Sequence, residues 1–233
     1  MAKFATALCL LVAVSGIRGS NETISAVSAI TLELTNYNST ANQTIVTMEI
    51  YMVNMATIAE NALKKLNSSM TAAIETSKSQ WEELVNGTTT DMSSCENVLW
   101  DEYSEVAAEI LANATTCIDS LTAEANSSLN LVRTDFETCS TSLLTLQKDA
   151  SDCSSYNETA AHTCLESIGE TTDDSACTDI ATNLKIFTQM YQNFSDLVSG
   201  CVNSNAFMSF NATLKTDLDT AVECALKLLG MAS

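Results

Sequence analysis

The chain holds one histidine, His162, two residues before Cys164. A Cys–His or Ser–His–Asp system needs such an imidazole to take the nucleophile's proton. The neighbouring cysteines are more simply disulfide partners, and no serine stands in a G-x-S-x-G context. Zinc chemistry fails on the same count, with a single histidine and no C-x-x-C pair. The acidic run GETTDDSACTD, Gly169 to Asp179, offers carboxylates to calcium but lacks the alternate-position ligands and terminal glutamate of an EF-hand loop. Asp173, Asp174 and Asp179 read instead as caps and charges at the start of a following helix. Among 29 acidic residues a carboxylate pair for glycoside hydrolysis can always be picked, so the signal has no specificity. No glycine-rich phosphate loop occurs. No catalytic, cofactor-binding or metal-ligating residue is assigned, and no enzymatic activity is expected.

The residue type that is patterned is cysteine. Cys95, Cys117 and Cys139 recur at intervals of 22, and Cys153, Cys164, Cys177, Cys201 and Cys224 complete a set of eight. A ninth, Cys9, sits in MAKFATALCLLVAVSGIRGS, where Lys3 precedes an apolar run from Phe4 to Val14 and then small residues. Residues 1–19 read as a secretory signal peptide cleaved after Gly16 or Gly19, too short to span a bilayer. No later segment is long and apolar enough for a membrane span, and the tail CALKLLGMAS is too short and polar for a glycolipid-anchor signal. An even number of cysteines in a secreted, extracellular chain predicts four disulfides.

Ten N-x-[ST] sequons agree with that compartment: Asn21, Asn38, Asn42, Asn67, Asn86, Asn113, Asn126, Asn157, Asn193 and Asn211. Eighteen asparagines in a chain this rich in Ser and Thr would give roughly five by chance. The excess predicts N-glycans, which need surface positions. Loss of Lys3 and Arg18 leaves eight basic residues against 29 acidic, a net charge of −21. Such a surface repels phosphate backbones and anionic membranes and favours solubility. Nucleic acid is therefore excluded as a partner.

The elements that must position these residues are helices. There is no proline in the chain and only six glycines, a poor composition for many tight β turns. From Ser20 to Val85 apolar residues recur at three or four, from Ile30 and Leu34 through Met48, Met55 and Met70 to Trp81 and Leu84. This first helix is expected to stop at Asn86-Gly87 in left-handed geometry, with Asp91 capping the next helix. That second helix runs along the seam Cys95, Leu99, Tyr103, Val106, Ile110, Ala114, Cys117, Leu121 and onward to Leu146, with all three cysteines on its apolar face. Residues 150–177 read as a connection with some short helix. A third stretch from Cys177 to Cys201 and a fourth from Phe210 to Leu228 come after it, with a kink near 202–206 between them. Two apolar features, MEIYMVNMATIAENAL (Met48 to Leu63) and KIFTQMYQNF (Lys185 to Phe194), are read as core packing rather than binding surfaces.

Pairing the cysteines from outside inward gives Cys95–Cys224, Cys117–Cys201, Cys139–Cys177 and Cys153–Cys164. Their midpoints are 159.5, 159, 158 and 158.5. A common midpoint is what an antiparallel hairpin requires, and packed helices bring facing Cα atoms within disulfide reach. The alternative breaks each arm into shorter helices with other pairings. The expected fold is all-α, an elongated, coiled-coil-like bundle of long antiparallel helices, with residues 20–90 as an N-terminal helix and turn and residues 91–233 as the disulfide-bonded domain.

With its signal peptide, proline-free helices, widely spaced cysteines and the short-spaced pair in CSSYNETAAHTC, the region of about residues 91–229 resembles the TsetseEP domain of secreted insect proteins. The resemblance implies an insect protein of gut lumen or another epithelial fluid, with no assigned catalysis. The Glu-Pro tail that gives that family its name has no counterpart here. The expected function is that of a non-catalytic extracellular interaction or structural glycoprotein, whose partner is an extracellular protein, a glycan or a small apolar ligand. The alternatives are a carrier of a small apolar ligand between helices and a proteinaceous inhibitor. Cofactors are not expected, and the oligomeric state is left open.

Overall fold

No proline or glycine interrupts residues 20 to 86, so nothing there removes a backbone donor or favours a left-handed turn. In the computed structural model of the chain, α1 accordingly runs unbroken over Ser20–Asn86. It is followed by α2 (Trp100–Cys153), α3 (Ser175–Val202) and α4 (Asn205–Leu228). The structure describes residues 20–96, 98, 100–153, 156, 160–161, 163–164, 167–168 and 175–231. The expected signal peptide, Asn157, His162, Asp173 and Asp174 lie outside them. No strand occurs among the described residues, and none of their helices is long and apolar enough to cross a membrane.

The helices are rich in serine and threonine, residues of modest helix propensity. Their hydroxyls are absorbed by the helix itself. Thr35, Thr47, Thr116, Thr134, Thr138, Thr141, Thr216 and Thr220 each donate to the carbonyl four residues back, at 2.8–3.0 Å. Packing then supplies what propensity does not.

Three helix ends show how local chemistry sets the boundaries. After α1, the Thr88 amide and hydroxyl both donate to the Val85 carbonyl. Neither Asn86 nor Gly87 adopts the expected left-handed conformation, because the only positive φ among the described residues is at Gly230. Asp91 does not cap a helix either. Its carboxylate accepts from the Ser93 amide at 2.9 Å in a local turn, and α2 starts at Trp100 rather than at Cys95. Met92, Cys95 and Val98 are each at most 3% exposed, so the segment ahead of α2 is anchored by its own apolar side chains. Ser204 breaks α3 from α4 at the expected place, its extended backbone and hydroxyl capping the Phe207 amide. α4 ends in a Schellman motif: the Met231 amide donates to Leu226 and that of Gly230 to Lys227, with Gly230 at φ 67°.

The chain divides into two compact units. The first comprises residues up to Val53 and Glu124–Gln192; the second comprises Asn54–Ala123 and Asn193–Ser233. In the first, the N-terminal part of α1 lies antiparallel to the C-terminal part of α2. Gln147 donates to Thr31, Ser140 to Asn38 and Arg133 pairs with Glu49, so position rises on one helix as it falls on the other. Between those rungs the buried Leu34, Tyr37 and Met48 meet the level of Val132, Phe136 and Leu143. The Tyr37 hydroxyl donates to the Phe136 carbonyl at 3.2 Å, and the two rings tilt together at 5.8 Å. α3 joins through fully buried Ile180 and Phe187, an Asn183–Asp135 hydrogen bond of 2.6 Å, and Tyr191 stacked on Tyr51 at 4.0 Å.

In the second unit Leu66, Met70 and Trp81 of α1, the buried turn residues Met92, Cys95 and Val98, Ile110 and Ala114 of α2, and Phe210, Leu214, Leu218, Ala221 and Ala225 of α4 form one hydrophobic cluster. Each large side chain removed from water there contributes about 1.5–3 kcal/mol before chain entropy is counted. Of the methionine stripe and the aromatic stretch, Met48, Met55, Phe187 and Phe194 are core, at most 1% exposed, whereas Ile50, Val53 and Ile186 of the same stretches are exposed.

Candidate functional site

All eight expected cysteines are paired, and in the expected nested order. Cys95–Cys224 and Cys117–Cys201 lie in the second unit, with Cα atoms 5.5 and 5.8 Å apart. Cys139–Cys177 and Cys153–Cys164 lie in the first, at 5.1 and 5.7 Å. Their surroundings depart from the sequence reading in one respect. Cys95 and Cys139 are buried, but Cys117 is exposed, and its neighbour Ile118 takes the core position instead. A helix of 3.6 residues per turn drifts against a seam read at alternate threes and fours, and in this part of α2 the buried positions step by four from Ile110 to Ala114 to Ile118. Cys117 is thereby carried to the edge of the contact, where it still reaches Cys201.

Of the sequon asparagines, Asn38, Asn42, Asn67, Asn86, Asn113, Asn126 and Asn193 have exposed side chains, and Asn211 is half-buried. Asn21 belongs to the first turn of α1.

Two open grooves indent the second unit. One, of about 450 Å³, is floored by Ile58, Ala62 and Leu66 of α1, Val198 and Val202 of α3 and Phe207 of α4, with Lys65 on its wall. The other, of about 520 Å³, runs between α2 and α4. Its floor is Ile110, Phe210 and the ring of Tyr103, which meets Phe210 edge-on at 5.8 Å. Glu102, Glu109 and Asp217 stand along its walls, and Asn113 lines it as well. The Tyr103 hydroxyl donates to Asp217 Oδ2 at 2.5 Å. Burial, this hydrogen bond and the charges of Asp217 and Glu102 all push the Tyr103 phenol above its ordinary value, so it stays a neutral donor.

The sequence reading does not single out Tyr103 and Asp217 as a pair, although the signal exists. Their positions sum to 320, against 319 and 318 for the two disulfides of the same unit. The hairpin register that pairs the cysteines therefore also sets this tyrosine opposite this aspartate. Val106, read as a seam residue, is 43% exposed and lies in the same groove. Leu228, at the end of the α4 seam, is exposed too, because the helix stops there. Asp179 is exposed in the first turns of α3, and no cluster of three or more potential metal ligands exists among the described residues. Comparison with protein families, curated proteins and solved structures finds no match to this chain.

Proposed function

We propose that this chain is a secreted, N-glycosylated, non-catalytic helical protein that acts outside the cell through its surface, as an interaction or structural protein. The observation that carries the reading is the pairing of all eight cysteines in an all-helical chain, with seven of the ten sequon asparagines exposed. Four disulfides suit an oxidising compartment, where glycans are also added. The strong negative charge suits a soluble extracellular molecule. The resemblance to TsetseEP domains extends the proposal to an insect epithelial fluid such as the gut lumen.

The test is expression of the full chain, signal sequence included, in insect cells. Recovery from the medium as a species whose mass falls on N-glycosidase treatment is the expected result. Retention inside the cell with free thiols and no glycan would overturn the proposal. A second reading, a carrier of a small apolar ligand, is favoured by one observation, the groove floored by Ile58, Leu66, Val198 and Phe207. Native mass spectra of detergent-free protein would show a co-purifying ligand if that reading holds.

A further inference from the structure

We propose that the groove between α2 and α4 binds an amphipathic organic cation, an ammonium group carried on a short aromatic or aliphatic body. This goes beyond the reading above and does not depend on secretion or on glycans. The groove has about 520 Å³ of space, within the range of small-molecule sites, ~300–1,000 Å³. Its floor is apolar and aromatic, with the rings of Tyr103 and Phe210 in edge contact. Aromatic faces attract cations and cover apolar bodies at once.

The charge around that floor has one sign. Glu102 and Glu109 stand two helical turns apart on the same side of α2, and Asp217 faces them from α4. No lysine or arginine lines the groove, and none of the three carboxylates has an ion-pair partner among the described residues. The Tyr103 hydroxyl fixes Asp217 in place, leaving its charge unneutralised. These carboxylates do not converge as a metal cluster, so the arrangement suits a cation whose charge sits above an apolar surface rather than a bare ion. Val106 points to the same occupant. It is an apolar residue at a seam spacing of α2, yet the fold leaves it 43% exposed inside the groove, and the body of a ligand would cover it.

The experiment is isothermal titration of the full disulfide-bonded protein, and of an Asn113→Gln form that carries no glycan at the groove, with 2-phenylethylammonium. 2-Phenylethanol serves as the neutral isostere. Saturable one-to-one binding of the cation in either form, with the alcohol weaker by about tenfold, is expected. Glu102→Gln combined with Glu109→Gln should weaken the cation by about tenfold. Glu82→Gln combined with Glu83→Gln, two exposed acids of α1 outside the groove, removes the same charge and should leave affinity unchanged. All four substitutions are on exposed positions, and circular dichroism verifies the fold. No binding in either form, equal affinity for cation and alcohol, or equal effects of the two double variants would each overturn the proposal.

Discussion

The Tyr103 hydroxyl on α2 donates a 2.5 Å hydrogen bond to Asp217 on α4, across 114 residues of chain, in the register set by Cys95–Cys224 and Cys117–Cys201. It is a polar rung between two covalent ones. A hydrogen bond to a charged acceptor is worth about 1.5–3 kcal/mol when shielded and less where water competes, as at this half-buried site. Tyr103→Phe should therefore lower stability by about 1 kcal/mol while leaving the ring packed on Phe210. Asp217→Asn keeps an acceptor and should cost less than Asp217→Ala. Thermal unfolding of the three variants measures the order.

The disulfides should not contribute equally. Removing Cys153–Cys164 frees a loop of separation 11. Removing Cys95–Cys224 while Cys117–Cys201 stays closed frees a loop of about 45 residues. Chain-entropy arithmetic puts the outer loss at about 4 kcal/mol and the inner at about 3 kcal/mol. Paired Cys→Ser variants, compared by denaturant midpoint, should rank that way. In a non-reducing digest the four linked peptides should be those of the nested order and no others.

Alkaline pH should destabilise the fold through tyrosine. Burial, reinforced by the Asp135 charge, raises the Tyr37 phenol well above its ordinary value, and Tyr103 is raised as well. Both contributions are complete below about pH 10, where unfolded tyrosine still keeps its proton. They are lost as pH climbs through the raised folded values, because the unfolded chain then gives up protons that the fold retains. The melting temperature should be insensitive to these groups from pH 7 to about 9.5 and fall above that. Tyr37→Phe should flatten the fall without abolishing it, since Tyr103 remains.

Methionine oxidation should follow burial. Met208 and Met231 are exposed, whereas Met48, Met55 and Met70 are at most 1% exposed. Mild peroxide should convert the first two with the fold intact, as read by peptide mass, and reach the buried three only on unfolding. Phe187→Ala, which hollows the centre of the first unit, should cost about 3–5 kcal/mol by chemical denaturation.

The one ion pair among the described residues, Arg133 with Glu49, joins two side chains in contact with solvent. Glu49→Gln should change stability by no more than about 0.5 kcal/mol, and sodium chloride should erase even that.

Much of this architecture was legible before any coordinates. Freedom from proline and the three-and-four spacing of Leu34, Tyr37, Met48, Met55, Leu66 and Met70 determined α1 and its buried face, because helix periodicity is a local property of the chain. The common midpoint of four cysteine pairs determined the antiparallel order, because facing positions on a hairpin must sum to a constant. What sequence could not supply was the depth of each side chain within the contact. Cys117 and Val106 have the spacing of core residues, yet the drift of a 3.6-residue helix and the opening between α2 and α4 put both at the surface. Cys95 has the look of a helix start, yet it lies in a turn, its amide donating to the Met92 carbonyl, and α2 begins at Trp100. The groove itself, with Tyr103 tied to Asp217 and carboxylates ranged above Phe210, exists only once α4 lies against α2. Its residues stand about 100 positions apart in the chain, and only the way the two helices pack decides that they share a wall.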